Sequence, residues 1–123
     1  MAVLDASAIL AWLQDEPGSD AVDGLLLHGV VSAVNWSEVV QKARRHGRDP
    51  DETGALLEAL GVTVADSTKQ DAELAAALWR ARTPLSLADR FCIALGARLR
   101  TRVVTAEREW MKLDLDVDVT VIR

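Results

Sequence analysis

The opening stretch of the chain constrains the fold most, because a short apolar run there ends directly in a carboxylate. The run covers residues 2–4, Asp5 follows it, and a helical pattern of apolar residues continues through 13. In an open α/β sheet, ligands are bound where a strand hands over to a helix. An acid at that junction lies near the core, where an unpaired charge is costly. The stretch therefore predicts an α/β protein with Asp5 at the carboxyl edge of the sheet.

Short apolar strands and helices alternate along the rest of the chain. We predict further strands at 29–32, 62–64, 102–105 and 117–122, and helices at 19–27, 34–46, 50–60, 68–82, 86–98 and 107–113. Such alternation is typical of a parallel sheet covered by helices on both faces, and right-handed crossovers place its strand-to-helix junctions on one edge. The sequence therefore predicts a single domain over 1–123, a three-layer α/β/α sandwich with a mainly parallel central sheet.

The composition excludes several classes of protein. Half of the 123 residues are hydrophobic and 27% are charged, which is typical of a globular domain rather than a disordered chain. The single Cys92 excludes an intramolecular disulfide, and two histidines are too few for a zinc site of the usual kind. Neither a signal peptide nor an apolar run of about 18 residues is visible, so we expect a cytoplasmic protein without membrane contact.

Four acidic residues lie at junctions that this fold would bring to one edge of the sheet. Two of them follow the first and fourth strands, and two lie in the first turns of the helices that begin near 34 and 86. They are Asp5, Glu38, Asp89 and Glu107. Each is at a helix N-terminus, where backbone N–H groups and the helix dipole favour an ionised carboxylate. The four are therefore candidates for one acidic cluster.

Helix capping is the simpler explanation for each acid taken singly. Asn35 stands three residues before Glu38, and Ser86 stands three residues before Asp89, which is the spacing of a capping box. Taken together, however, carboxylates that converge on one edge raise one another's pKa values unless a cation lies between them. Oxygen ligands suit Mg²⁺ or Mn²⁺, and such a site can hydrolyse a phosphodiester with metal-activated water. The pattern as a whole therefore predicts a metal-dependent phosphodiesterase.

Four short stretches at these junctions carry a family resemblance. They are Val3–Ala8, Asn35–Val39, Leu85–Asp89 and Val104–Glu107. In order and spacing they resemble the motifs of a PIN domain, and within that group those of a VapC-type toxin from a bacterial type II toxin–antitoxin pair. The resemblance covers nearly the whole chain.

The resemblance implies a Mg²⁺- or Mn²⁺-dependent endoribonuclease that cleaves RNA. Asp5 and Asp89 match the principal metal ligands, and Glu38 completes the acidic cluster directly or through water. Glu107 matches a fourth acidic position at which the family usually has Asp. Its extra methylene moves the carboxylate by about 1.5 Å, which would weaken or relocate a second metal. The four acids together are the predicted catalytic and metal-binding residues.

The resemblance also implies supporting residues and protein partners. Ser7, Asn35 and Thr105 match polar positions that orient the acids through hydrogen bonds, although capping explains Asn35 and Thr105 equally well. The implied partners are a VapB-like antitoxin and a second copy of the chain in a homodimer. The second to fourth helices carry more Leu and Val than a covering layer needs, which predicts an exposed apolar groove for a partner segment.

The basic residues leave two interpretations open. They form two clusters, and each either contacts RNA phosphates or neutralises a helix C-terminus. The clusters are Arg44, Arg45, His46 and Arg48, and Arg98, Arg100 and Arg102. The net charge of −5 does not exclude RNA, because cations bound at the four acids would offset most of it.

Two other functions remain as alternatives. The first is a non-catalytic, PIN-like binding module in which Glu107 marks a degraded acidic site. The second is a phosphoacceptor of the receiver-domain kind, which needs paired acids after the first strand and a lysine at the end of a late strand. The sequence disfavours the second, because Asp5 stands alone and the fourth strand ends in Thr105.

Overall fold

The computed structural model describes residues 1–123 and contains a five-stranded sheet flanked by helices. The strands are β1 (Ala2–Leu4), β2 (Gly29–Ser32), β3 (Thr63–Ala65), β4 (Val103–Thr105) and β5 (Val119–Val121). The helices are α1 (Ala6–Leu13), α2 (Ser19–Asp23), α3 (Ala33–Arg45), α4 (Pro50–Ala59), α5 (Lys69–Ala77) and α6 (Leu87–Leu99), with a 3₁₀ helix at Arg108–Lys112. None of the helices is both long and apolar enough to span a membrane.

The sheet has the strand order β3-β2-β1-β4-β5, and every neighbouring pair is parallel. Because β1 is central, the carboxyl ends of β2, β1 and β4 lie side by side. The chain enters α3 directly after β2 and α1 one residue after β1. The topology therefore brings the junctions after residues 4, 32 and 105 to one stretch of the sheet edge.

Both faces of the sheet are buried at the strands β1 and β4, whose successive side chains point to opposite sides and are all buried. On one face Leu4 and Val104 belong to an apolar cluster with Ile9 of α1. On the other face the neighbouring strand residue Val3 belongs to a second cluster with Ile93 of α6. The predicted three-layer α/β/α architecture is confirmed, and the sheet is parallel throughout.

The predicted helices at 19–27 and 68–82 are both shorter in the structure. The first ends at Asp23, because the chain must turn through residues 24–28 to enter β2, and His28 adopts a positive φ of 63° there. The second ends at Ala77, where the Arg80 guanidinium donates to the carbonyl oxygens of Ala77 and Trp79. The outer strands also differ: β3 is shifted by one residue and β5 covers only the middle of its predicted range.

Candidate acidic site at the sheet edge

Asp5 is the buried centre of the candidate site. Asp5 directly follows β1, and only 3% of the residue is exposed. The Oδ2 atom accepts hydrogen bonds from the Ser7 hydroxyl at 2.7 Å and from the Thr105 hydroxyl at 3.0 Å. Its Oδ1 atom accepts a long bond of 3.4 Å from the Asn35 side-chain amide, and the backbone N–H of Ala6 also stabilises the charged carboxylate. One carboxylate oxygen is therefore held by two hydroxyl groups, and the other accepts only a long bond from a side chain.

Asn35 connects the strands of the site to α6, and it does not cap α3. Ser32 is the N-cap, since its hydroxyl accepts from the backbone N–H of Asn35 at 3.0 Å and donates to the Asn35 side-chain oxygen. The capping explanation for Asn35 is therefore wrong. The amide Nδ2 is left to donate to Asp5 and, at 3.2 Å, to the carbonyl oxygen of Ala88. Because Asp89 follows Ala88, this one buried amide ties the two acids together.

Replacing Asn35 by Ala should lower the free energy of unfolding by about 2–3 kcal/mol, because several buried polar groups lose their partner at once. Asn35 is fully buried, and its bonds reach Ser32, Asp5 and Ala88. Urea denaturation followed by circular dichroism measures the change. Gln41→Ala is the control on the exposed face of the same helix, and it should change stability by less than about 0.5 kcal/mol. Equal losses in the two variants would contradict the connecting role of Asn35.

Asp89 does form the capping box that its spacing predicts. Its Oδ2 atom accepts from the Ser86 backbone N–H at 2.9 Å, and the Ser86 hydroxyl accepts from the Asp89 backbone N–H at 3.1 Å. Yet burial raises the pKa of Asp89 in spite of these bonds. The Oδ1 atom of this carboxylate accepts no hydrogen bond from the protein. Capping therefore occupies one oxygen and leaves the other available to a ligand.

The charges of three acids act on one another. The pKa of Asp5 is raised to about 6, chiefly by burial and in part by the negative charge of Asp89, while the hydrogen bonds from the Ser7 and Thr105 hydroxyls oppose the shift. Burial also raises the pKa of Glu38, again helped by Asp89 and opposed by the cation of Lys42. The structure thus brings Asp89 within electrostatic range of both Asp5 and Glu38. A cation bound among them would remove the cause of the repulsion.

Glu107 lies apart from this trio. Its side chain is exposed, it precedes the 3₁₀ helix without capping it, and its backbone N–H donates to the Thr105 hydroxyl at 3.1 Å. It is not among the charges that shift the pKa values of Asp5, Glu38 or Asp89. Its assignment as the fourth acid therefore stays a prediction.

The donor atoms fit a hard divalent cation in part. No group of three or more His, Cys, Asp or Glu side chains is already arranged as a metal site. However, Asp5 and Asp89 each keep one carboxylate oxygen without a strong protein hydrogen bond. Mg²⁺ is commonly bound through one or two carboxylates and several waters, so it does not need a complete protein cage. The residues suit such a cation better than a softer metal with His or Cys ligands.

Cys92 lies in the protein beneath the acids and is not a nucleophile. The thiol is completely buried in α6, and burial together with the charges of Asp5 and Asp89 raises its pKa well above the usual value. A thiol that resists ionisation is unreactive. Cys92 is therefore a packed residue of the core.

Residues 2–115 match the family model of the PIN domain. This chain belongs to the PIN domain family. No curated protein sequence matches it closely enough to add a relative. The resemblance that the four sequence stretches carry is therefore confirmed, and Asp5, Glu38 and Asp89 are the acids that this PIN domain brings together.

Solved structures of toxin–antitoxin proteins share the fold of this PIN domain. A toxin–antitoxin complex from Klebsiella pneumoniae aligns with a TM-score of 0.81 at 18% identity, covering 100% of this chain and 98% of that chain. VapBC-1 from nontypeable Haemophilus influenzae gives 0.68 at 18% identity, with 98% and 96% covered. VapC20 of Mycobacterium tuberculosis, described as a Sarcin-Ricin loop cleaving toxin, gives 0.63 at 14% identity, with 96% and 99% covered.

Two supporting features are missed when the sequence is considered alone. Ser32 caps α3 and fixes the side chain of Asn35. The sequence carries one signal for this cap. Ser32 stands three residues before Asn35, and an N-cap side chain accepts a hydrogen bond from the backbone N–H of the third helical residue. Lys42, one turn after Glu38, acts electrostatically on both Glu38 and Asp89.

Proposed function

We propose that this PIN domain is a Mg²⁺- or Mn²⁺-dependent endoribonuclease and the toxin of a toxin–antitoxin pair. The single observation that supports it most is the buried carboxylate of Asp5, whose pKa is raised to about 6 beside Asp89. A protein keeps such an acid cluster at a cost, and clusters of this kind are typical of functional sites. The fold of the VapBC complexes and of VapC20 supports the choice of RNA as the substrate.

The proposed roles follow from which oxygens are free. Asp5 and Asp89 would hold the cation, which when bound supplies a water of lowered pKa and positive charge for the phosphate oxygens. Ser7 and Thr105 hold the carboxylate of Asp5 in one orientation through its Oδ2 atom. The half-buried Glu38, whose pKa is raised, is placed to accept a proton from water near the site. No protein nucleophile is required.

We propose a VapB-like antitoxin as the partner of this domain, because solved relatives are complexes of that kind. A groove of about 370 Å³ between α3, α4 and β3 is lined by Trp36, Leu57 and Val64 among others. The side chain of Val64, which lines the groove, is itself exposed. This groove suits an amphipathic segment of another chain. A homodimer and a place in the cytoplasm complete the proposal.

A non-catalytic binding module is the second candidate. It is favoured by the exposed position of Glu107 and by the absence of a ready group of three metal ligands. A cleavage assay separates the two candidates.

Purified protein should cut RNA with millimolar Mg²⁺ or Mn²⁺ and should lose that activity in excess EDTA, because the acids lack a counter-charge without the cation. Labelled transfer and ribosomal RNAs resolved on denaturing gels provide the measurement. Adding Mn²⁺ back after EDTA should restore cleavage, which controls for loss of the protein. Cleavage that is unaffected by EDTA would point to a contaminating nuclease and refute the metal-dependent proposal, and no cleavage of any RNA would favour the binding module.

A further inference from the structure

The basic residues near the end of α3 fall into two groups in the structure. Arg48 donates to the carbonyl oxygen of Leu13 at 2.5 Å, and the His46 ring is in hydrogen-bonding contact with the carbonyl oxygen of Lys42 at 2.8 Å. These two residues therefore serve the ends of α1 and α3. Three other cations of α3 form no side-chain hydrogen bond and no ion pair with the protein. They are Lys42, Arg44 and Arg45, and all are exposed.

The face of the helix distinguishes these three cations from one another. Each residue of an α-helix is rotated by about 100° from the last, so Lys42 and Arg45 lie within about 40° of Glu38 around the axis. Arg44, by contrast, is rotated from Glu38 by about 120°. Both Arg44 and Arg45 line a surface depression with Ser37 and Gln41, so it is the angle around the helix axis that distinguishes Arg44. Lys42 and Arg45 therefore continue the line of Glu38 away from the acidic site.

The electrostatics show that Lys42 is close to the acids. Its positive charge acts on the pKa values of both Glu38 and Asp89, which belong to different helices. Lys42 nevertheless lies more than 4 Å from every carboxylate, since it forms none of the three ion pairs of the structure. Favourable placement near the C-terminal end of α3 explains why all three residues are cations. It does not explain why Lys42 acts on acids of two different helices, or why Arg45 lies on the same side of α3 as Glu38 and Lys42.

We propose that Lys42 and Arg45 bind consecutive phosphates of the single-stranded RNA next to the scissile bond, and so place the scissile phosphate over Asp5 and Asp89. This rests on the proposed nuclease function. Along the helix axis Lys42 lies about 6 Å from Glu38, and Arg45 about 4.5 Å further on. Two flexible cationic side chains at this spacing can contact the phosphates of an RNA backbone that runs away from the acidic site. They also offset the repulsion between the acids and the RNA.

Binding of a fluorescein-labelled single-stranded RNA, measured by anisotropy over a range of NaCl concentrations, tests this proposal. An Asp5→Asn background prevents cutting during the measurement. Lys42→Gln and Arg45→Gln should each weaken binding about two- to five-fold, as expected for one exposed ion pair. Each should also lower the slope of log affinity against log salt by about 0.7, because one phosphate contact is lost.

Arg44→Gln and Lys69→Gln are the matched controls, since each removes one exposed cation elsewhere on the helices. Both should leave the affinity and its salt dependence unchanged. Equal losses in the controls, or unchanged slopes for Lys42→Gln and Arg45→Gln, would overturn the proposal, as would the absence of RNA binding. A lower melting temperature with an unchanged slope would also overturn it, because that result indicates a purely structural role.

Kinetics with Asp5 intact separate this proposal from the proposed function. If the wild-type protein cuts RNA, Lys42→Gln should raise KM more than it lowers kcat, because a phosphate contact outside the reacting group contributes to binding throughout. If the wild-type protein cuts no RNA but its affinity still depends on Lys42 and Arg45, the nuclease function fails and the phosphate contacts stand. If it cuts RNA and neither variant differs from the controls, the proposed phosphate contacts are contradicted and the proposed nuclease function is supported.

Discussion

Asp5→Asn should lower the rate of RNA cleavage by about 10²–10³-fold or more while leaving the protein folded, because it removes one charge from the proposed cation site. An asparagine oxygen can still accept the bonds that Ser7 and Thr105 donate to Asp5. The substitution also removes a buried carboxyl group whose pKa is raised to about 6, chiefly by burial. Single-turnover cleavage with Mg²⁺ measures the loss, and circular dichroism shows that the fold persists.

Two other acids provide the controls for this result. Asp20→Asn changes an exposed acid of α2 that is remote in the sequence from every candidate ligand, and it should leave cleavage unchanged. Glu107→Gln tests the predicted fourth acid; since its side chain is exposed and does not act on the other three, we expect a loss of about tenfold or less. An Asp5→Asn protein that keeps more than about a tenth of the activity would refute the role of Asp5.

The architecture and the acid trio could be predicted from sequence because both follow from local patterns. The apolar run at 2–4 ends in Asp5, and β2 has the same limits in the structure as in the prediction. Parallel strands joined by helices then leave few choices for the edge at which the junctions meet. Asp89 is accordingly near both Asp5 and Glu38, since its charge raises the pKa values of both.

The details that escaped prediction depend on contacts between elements. Ser32 and Asn35 were equally good caps by residue type, and only the position of Asp5 and Ala88 decides that Asn35 turns toward α6. The early end of α5 depends on where the guanidinium of Arg80 folds back. Helix propensity is a weak prior, and such tertiary contacts override it. The bond from Arg48 to the carbonyl oxygen of Leu13 likewise depends on how the segment after α3 lies against the end of α1.

The free energy of unfolding should fall as the pH rises from 3.8 to about 6, because Asp5 holds its proton more tightly in the folded state. Its pKa is raised from 3.8 to about 6, so the stability it contributes is complete below its unfolded pKa and is lost as the pH passes through about 6. A shift of this size corresponds to roughly 3 kcal/mol at neutral pH. Glu38 and Asp89 shift in the same direction. Urea denaturation across this range should show the fall, and Asp5→Asn should flatten the profile.

The effect of a divalent cation on the free energy of unfolding should also depend on pH, because Asp5 must be ionised to bind the cation. Near pH 8 the ionised Asp5 and Asp89 can bind Mg²⁺, and a free concentration of about ten times the dissociation constant adds about 1.4 kcal/mol to the free energy of unfolding. Near pH 5 a proton on the Asp5 carboxylate competes with the cation, so the gain in the free energy of unfolding should be smaller.

Samples with and without Mg²⁺ are brought to equal ionic strength with NaCl, because salt alone screens the repulsion between the acids. Asp5→Asn should lose the gain at both pH values. A gain that is the same in wild type and Asp5→Asn would place the bound cation elsewhere on the surface and would contradict the metal site that the nuclease requires.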